Sequence, residues 1–261
     1  AAGTDLAWQS GAAGVVVSAG QPRPAGAQPA VGGALAAWLE QRADGTQQVV
    51  VTNRVDGARL REVPVGPSAG DLAISDTQLA FTEGEAIVVV RLADGAARVA
   101  ASARAPVALG RPALDGDRLV FHQAGPSSSA IVELDLASGT RTVLRRATRR
   151  QLTNPTLRGD RLLYVETNQY QQALVLAARG EARGRTLLRI APAIDADKGY
   201  TTPHGPHRPG IPRPRRLPKE GPAGTITTLT TTALADDAAY VTRLRRSRGG
   251  ALRTALLRVG L

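Results

Sequence analysis

The segment PHGPHRPGIPRPRR at 203–216 holds two of the chain's three histidines, His204 and His207, whose imidazoles could bind a metal ion or transfer protons. Upstream, Asp195 and Asp197 in DADKG have the spacing that begins a calcium loop, but the third ligand position and the distal Glu of such a loop are missing. The Gly-Pro pair between the histidines prevents a helix that would aim both rings at one ion, and two histidines are too few for a closed zinc site. We therefore predict no metal site and no cofactor, and these four side chains are the candidates if a metal is bound.

The same proline-rich stretch, at about 191–224, could instead contact an anionic ligand or a partner. Its prolines favour an extended, polyproline-like backbone with few internal hydrogen bonds. Binding residues often lie on loops held by a rigid scaffold. The alternative is a solvated loop across one face or the rim of the molecule, and the sequence leaves both readings open. The candidate contact residues are Tyr200, His204, His207, Arg208, Arg213, Arg215 and Arg216.

Two further residues have types that could do chemistry, and we assign neither a catalytic role. Ser68 lies in GPSAG, a literal Gly-x-Ser-x-Gly, but the nucleophile elbow needs a helix after the serine. Here a strand-like segment follows, which indicates a loop between strands. His122 directly follows the apolar run that ends at Phe121, and strand alternation points the two side chains in opposite directions. We predict a structural histidine with its hydrogen bonds satisfied.

The composition excludes some chemistry and indicates a class of partner. The chain has no cysteine, so disulfides, thiolate metal sites and cysteine nucleophiles are excluded. Residues 1–140 carry 10 basic and 14 acidic side chains, whereas residues 141–261 carry 23 basic and 8 acidic ones. Nearly all of the positive charge is arginine, including the cluster RLRRSRGG at 243–250. A basic half of this kind attracts polyanions.

The elements that must position these residues are revealed by a repeat. Six of the eight aromatic residues each lie at or near the end of a short apolar run, at spacings of 30, 43, 40, 43 and 76 residues. A period of about 40 residues is typical of four-stranded propeller blades, and the last spacing is one repeat plus about the length of the proline-rich stretch. The six residues are Trp8, Trp38, Phe81, Phe121, Tyr164 and Tyr240.

Each repeat reads as four short strands. The repeat begins with a strand, a turn with Gly or Asp and a second strand that ends in the aromatic. A third, β-branched strand follows, such as IVVV at 87–90. A tight glycine turn, in VDGAR, ADGAA, ASGTR and ARGRT, then leads to an outer strand with exposed Arg or Thr. Radial repetition of such sheets buries their apolar faces, and one large ring per sheet can fill the wedge between neighbours. The sequence therefore predicts an all-β propeller.

These repeats resemble the TolB-type propeller repeat, a relative of the WD-type blade. Its units have Pro, then Trp-Ser-Pro-Asp-Gly, then an apolar strand ending in Phe; the Trp-Ser-Pro core is missing here. The resemblance covers most of 26–190 and 225–260, and it implies that the protein is an extracytoplasmic protein-binding platform. The matching positions are Pro112, Asp115, Gly116 and Phe121 in one repeat, and Pro155, Gly159 and Tyr164 in the next.

Six aromatic residues predict six blades in a single domain, 1–261, with five blades plus an N-terminal hairpin as the alternative. We expect a monomer without a transmembrane segment, and the small alanines at the N-terminus indicate export from the cytoplasm. The leading hypothesis is a non-enzymatic scaffold that binds a partner protein or an anionic envelope polymer. The alternatives are a glycan-processing hydrolase or lyase that uses the propeller channel, and a polyanion-binding protein that uses the basic half. Nucleic acid is the less favoured polyanion, because few aromatic residues are free to stack on bases.

Overall fold

The computed structural model describes residues 6–10, 13–17, 29–168, 171–181, 183–190, 226–246 and 251–261. All regular elements in these ranges are strands, so none of them contains a helix able to span a membrane. The strands are β1 (Leu6–Ser10), β2 (Ala13–Val17), β3 (Ala30–Gly32), β4 (Leu35–Gln41), β5 (Gln47–Asn53), β6 (Arg59–Val65), β7 (Ala69–Ile74), β8 (Gln78–Glu83), β9 (Ala86–Arg91), β10 (Ala97–Ser102), β11 (Ala108–Asp115), β12 (Arg118–Ala124), β13 (Ser128–Asp135), β14 (Arg141–Thr148), β15 (Gln151–Arg158), β16 (Arg161–Thr167), β17 (Gln172–Ala178), β18 (Arg185–Ile190), β19 (Ile226–Leu234), β20 (Ala238–Arg246) and β21 (Leu252–Gly260).

The strands form five blades and a separate hairpin. Blades 1 to 4 are the antiparallel meanders β3–β6, β7–β10, β11–β14 and β15–β18, blade 5 is β19–β21, and β1 pairs only with β2. The first strands of consecutive blades contact one another from β3 to β19, as the strands that line the central channel of a propeller do. The all-β propeller prediction is confirmed, with five blades plus an N-terminal hairpin in place of six blades. The first aromatic belongs to the two-stranded hairpin and not to a blade.

Four of the aromatic residues occupy one equivalent position, the fourth residue of the second strand. Trp38, Phe81, Phe121 and Tyr164 each face a valine of the third strand in the same register. All four are at most 4% exposed. Phe81, Phe121 and Tyr164 each belong to the apolar cluster that their blade shares with the preceding blade. The wedge role predicted for the repeated aromatic is confirmed for these three.

Tyr240 breaks the pattern, and its predicted equivalence is wrong. The residue that aligns with the other aromatics in blade 5 is Val241, which is fully buried against blade 4. Tyr240 lies one position earlier, and successive strand residues point to opposite faces. Its side chain therefore lies on the face away from blade 4, beside its cross-strand partner Arg258. The side chain of Trp8 lies outside the described residues.

Arginines join neighbouring blades at the end of the propeller that we call the turn end. This end contains the turns between first and second strands and between third and fourth strands, whereas the opposite loop end contains the second-to-third turns and the connections between blades. At the turn end, an outer-strand arginine of blades 1, 2 and 3 donates to a backbone carbonyl of the next blade. Part of the arginine content is thus structural. The pairs are Arg61 with Ala93, Arg98 with Leu136 and Arg145 with Ala178.

Candidate functional site

The first strands of the blades share a two-residue bulge that lines the channel. In β7, β11 and β15 the pairing with the second strand skips two residues, and the first skipped residue has a positive φ: Asp71 at 43°, Arg111 at 29° and Asn154 at 51°. Left-handed backbone at a residue other than glycine costs about 1–3 kcal/mol. Asp and Asn tolerate this conformation better than other residues do, but Arg does not. Strain of this kind clusters at binding and catalytic sites, so we treat this level of the channel as a candidate site.

The second bulge residue explains a feature of the repeat. It is Pro112 in blade 3 and Pro155 in blade 4, the two prolines that match the TolB-type pattern. Proline cannot donate to the strand ladder and is confined to bulges or edges within sheets. The Pro of the repeat therefore marks the bulge, and the residue before it lies at the strained position.

His122 packs directly against the backbone of Gly110. The two residues are cross-strand partners, and a Cβ atom added to Gly110 would lie 2.4 Å from the imidazole Cε1. Burial lowers the pKa of His122, the charge of Asp71 opposes this shift and the charge of Arg111 adds to it, so the ring is neutral at pH 7. Its buried Nδ1 has no hydrogen-bond partner within the described part of the chain. The predicted structural histidine is therefore wrong in one respect: its hydrogen bonds are not all satisfied.

Arg111 brings a half-buried positive charge next to this ring. Burial lowers the pKa of its guanidinium, and the negative charge of Asp71 partly offsets this effect. Asp71 itself has an exposed side chain. Asp71, Arg111 and His122, which we call the channel cluster, therefore combine an accessible carboxylate, a half-buried guanidinium and a neutral imidazole. Such groups can bind a polar ligand through hydrogen bonds and charge.

The bulges of blades 4 and 5 are closed by hydroxyl contacts instead. The Thr232 hydroxyl donates to the backbone carbonyl of Asn154 at 2.6 Å, and the hydroxyls of Thr156 and Thr232 are 2.7 Å apart. These bonds satisfy the local polar groups without an added ligand. The bulges of blades 2 and 3 instead contain the charged residues Asp71 and Arg111, so we take these two bulges as the candidate site.

A second candidate surface is basic and lies at the loop end. Arg149 and Arg150 form the whole connection between blades 3 and 4, and both side chains are exposed. In blade 5, the exposed Arg245 and Arg246 end β20, and Arg246 pairs with Ile226, the first described residue after 191–225. That connection therefore leaves β18 and rejoins β19 beside these arginines. The surface is also next to a small cavity of about 300 Å³ lined in part by Arg149 and Arg150.

A larger cleft of about 920 Å³ opens at the turn end around blade 2. Its arginines already have partners. Arg61 and Arg98 donate to carbonyls of the next blade, and Arg91 binds Asp94. The cleft thus offers mainly apolar side chains and arginines that already have partners, which makes it a weaker candidate than the other two.

The residues predicted as contacts from the sequence lie outside the described residues, and their roles stay predictions. The described ranges contain no group of three or more His, Asp or Glu that could hold a metal ion. Ser68 lies in the connection between β6 and β7 with a strand after it, which confirms its assignment to a loop. The residues outside the described ranges are Asp195, Asp197, Tyr200, His204, His207, Arg208, Arg213, Arg215 and Arg216.

Comparison with known proteins agrees with this architecture. No protein-family model and no curated protein matches the chain. TolB from Acinetobacter baumannii superposes with a TM-score of 0.56 at 13% identity, over 98% of this chain and 59% of that one. The chain has a TolB-like propeller fold. An oligogalacturonate lyase in complex with manganese superposes with a TM-score of 0.54 at 12% identity, over 97% of this chain and 73% of the lyase. An oligogalacturonate lyase from Vibrio parahaemolyticus also has a TM-score of 0.54 at 12% identity, over 100% of this chain and 71% of the lyase. This TolB-like propeller spans less than two thirds of the length of the TolB chains that it matches.

The channel cluster was missed by the sequence analysis, although the repeat contained a signal for it. Asp71 and Arg111 each follow a glycine, and Arg111 and Asn154 each precede the proline of the repeat. A polar residue at that position in successive repeats must fall on the same level of the channel. Alignment of the repeats on the bulge, rather than on the aromatic residue, would have brought these residues together.

Proposed function

We propose that this TolB-like propeller is a non-enzymatic, extracytoplasmic scaffold that binds an anionic partner at its loop end, across blades 3 to 5. The partner is an acidic protein or an envelope polymer. The carrying observation is the pairing of Ile226 with Arg246, because it brings the end of the basic 191–225 connection beside the blade-5 arginines. The exposed Arg149 extends the same charge toward blade 3, whereas the neighbouring Arg150 is paired with Glu166.

The exposed arginines at the loop end differ from the three arginines that join neighbouring blades at the turn end. The turn-end arginines Arg61, Arg98 and Arg145 are bound to carbonyls of the next blade, so they stabilise the propeller. The exposed Arg245 and Arg246 are positioned to attract a polyanion from solution. Electrostatic attraction of this kind raises the association rate and weakens with salt.

The test compares two pairs of exposed arginines with equal charge change. R245Q/R246Q removes two charges from the loop end, and R183Q/R185Q removes two from the turn end. We expect binding to poly-L-glutamate, measured by biolayer interferometry, to weaken at least tenfold in the first variant and less than twofold in the second. Affinity should also fall steeply as salt rises.

A pull-down from envelope extract then separates the two partner classes. Wild type and R183Q/R185Q should retain the same bound species, whereas R245Q/R246Q should lose it. Protease treatment of the eluate identifies a protein partner, and its resistance to protease identifies a polymer. Equal loss in both variants, or binding that does not respond to salt, would contradict the proposal.

A further inference from the structure

We propose that Arg243, Arg245 and Arg253, three arginines on one face of blade 5 that we call the arginine triad, bind a phosphate group carrying two negative charges. This inference rests on the proposed function, because it names the chemical group that the basic surface at the loop end recognises. Strand register, the lack of partners among the described residues and the balance of charge support it.

The arginine triad follows from strand register. β20 and β21 pair without a register shift, so alternate residues of each strand lie on the same face. Val241 and Leu257 pack against blade 4, which puts the whole triad on the face toward that blade. Arg245 is the direct cross-strand partner of Arg253, and the Cβ atoms of such pairs are about 4.5–5.5 Å apart. Arg243 is the diagonal neighbour of Arg253, which a long side chain can reach.

Arg243 is the least exposed member of the arginine triad, and its charge has no partner in the described part of the chain. Its side chain is half-buried, whereas those of Arg245 and Arg253 are exposed. Its Nε atom is buried and donates to no group of the described residues. A buried donor that has lost water without gaining an acceptor lowers stability. An oxyanion bound at this position would supply the missing acceptor.

A side chain of blade 4 forms the opposite wall of the site. Gln172 is only 8% exposed, and its carboxamide oxygen accepts a hydrogen bond from the backbone N–H of Leu229 at 2.7 Å. Leu229 is the cross-strand partner of Arg243, so this carboxamide lies next to the least exposed member of the arginine triad. Its NH2 group makes no hydrogen bond within the described ranges and can donate to an oxyanion.

The charge on this face favours a doubly charged phosphate over a single carboxylate. Like charges directly opposite each other in a sheet are destabilising, so the pair Arg245 and Arg253 calls for an anion between them. The only acidic residues from 226 to 261 are Asp236 and Asp237, and both form ion pairs with arginines at the turn end. Three guanidinium groups therefore share one face with no carboxylate of blade 5 to offset them. A phosphate dianion neutralises two of these charges and offers an oxygen to each arginine.

The test follows the arginine Nε–H resonances of the whole chain by ¹H–¹⁵N NMR, with each member of the arginine triad identified by its absence in its own variant. The probe is inorganic phosphate at about pH 7.5, where it is largely doubly charged, and acetate at equal ionic strength is its singly charged control. We expect phosphate to shift the triad resonances to saturation and to bind at least tenfold more tightly than acetate. R243Q should weaken phosphate binding at least tenfold and R253Q at least threefold, measured on the remaining resonances.

R246Q is the matched control, since Arg246 follows Arg245 in β20 but lies on the face away from blade 4. It removes the same charge and should leave phosphate binding within twofold of wild type. Without phosphate, R253Q should melt at the wild-type temperature or higher by circular dichroism, because the repulsion between Arg245 and Arg253 is gone. If R243Q fails to fold, the comparison of R253Q with R246Q decides.

The outcomes separate this inference from the proposed function. Phosphate that binds no more tightly than acetate, or equal weakening by R246Q and R253Q, would overturn the phosphate site, whether or not poly-L-glutamate binds. In the pull-down from envelope extract, phosphatase treatment of the extract should abolish capture by wild type, and capture that survives phosphatase would also overturn the inference. Protease treatment of the eluate then distinguishes a phosphoprotein from a phosphorylated polymer.

Discussion

The shifted register of blade 5 leads to a contrast between two aromatic residues that the sequence treats alike. Phe121 is fully buried in the apolar cluster between blades 2 and 3. Truncating such a ring removes its transfer free energy and leaves a cavity, which costs about 3–5 kcal/mol. The Arg141 guanidinium, 5.6 Å from the ring centroid, adds about 0.5–1 kcal/mol at an exposed site.

Tyr240 should behave differently, because it faces away from blade 4. Its loss removes only the contacts of a half-buried side chain beside its cross-strand partner Arg258, so we expect a cost of about 0.5–1.5 kcal/mol. Urea unfolding followed by circular dichroism should therefore show F121A destabilised by about 3–5 kcal/mol and Y240A by less than about half of that. At roughly 2–4 °C per kcal/mol, the melting temperature of F121A should fall by about 6–20 °C.

The surface variant V99A is the control for these measurements. Val99 is 63% exposed, so its truncation should change stability by no more than about 0.5 kcal/mol. If the m-value of urea unfolding is the same in wild type and variant, a shift of the unfolding midpoint measures a change in the free energy of unfolding. If Y240A costs as much as F121A, the assignment of Val241 to the aromatic position is refuted, because both rings would then be filling wedges.

Three further predictions concern buried polar groups. Because the pKa of His122 is lowered by burial, the unfolded chain binds a proton more readily. The free energy of unfolding should decrease as the pH falls through about 6.5, the pKa of an unperturbed histidine. In urea unfolding at pH 7 and pH 5, H122Q should reduce this pH dependence. A steeper dependence in the variant would contradict a lowered pKa at His122. R179A removes hydrogen bonds to the buried Glu133 and should lower the free energy of unfolding by about 1.5–3 kcal/mol. In thermal unfolding, the double variant E133Q/R179A should recover part of this loss, because it leaves no unpaired charge buried. S129A leaves the backbone N–H and C=O of Leu152 without their buried partner and should cost about 2 kcal/mol by denaturant titration, and a neutral effect would mean that other groups satisfy them.

The fold was predictable because the same pattern of apolar residues recurs from repeat to repeat. The second strand carries an apolar run up to its aromatic, and the third strand carries a run of β-branched residues, because strands that are buried on both faces need apolar side chains on both. Three of the four predicted glycine turns are confirmed, with positive φ at Gly57, Gly95 and Gly139. The fourth is wrong: the turn glycine is Gly180, and Gly184 instead allows close contact, since an added Cβ would lie 2.5 Å from a Val175 methyl group.

The blade count and the site were harder to predict, for different physical reasons. An aromatic at the end of an apolar run identifies a strand but not its register, so Tyr240 and Val241 could not be distinguished before the pairing was known. Trp8 likewise identifies a strand, β1, which pairs with β2 alone among the strands of the described residues. The channel cluster depends on backbone conformation at Arg111, and nothing in an isolated Gly-Arg-Pro sequence requires a positive φ at the arginine.

The way each blade packs against both of its neighbours has a consequence for how the number of blades can change in evolution. Blade 3 turns Phe121 toward blade 2 and Ile131 toward blade 4, and Phe81 in blade 2 has the same position as Phe121. Each blade thus offers a similar pair of surfaces to whichever blades flank it. Duplication or loss of one whole unit by recombination would leave every remaining junction chemically matched, so the number of units can change faster than the residues that join them.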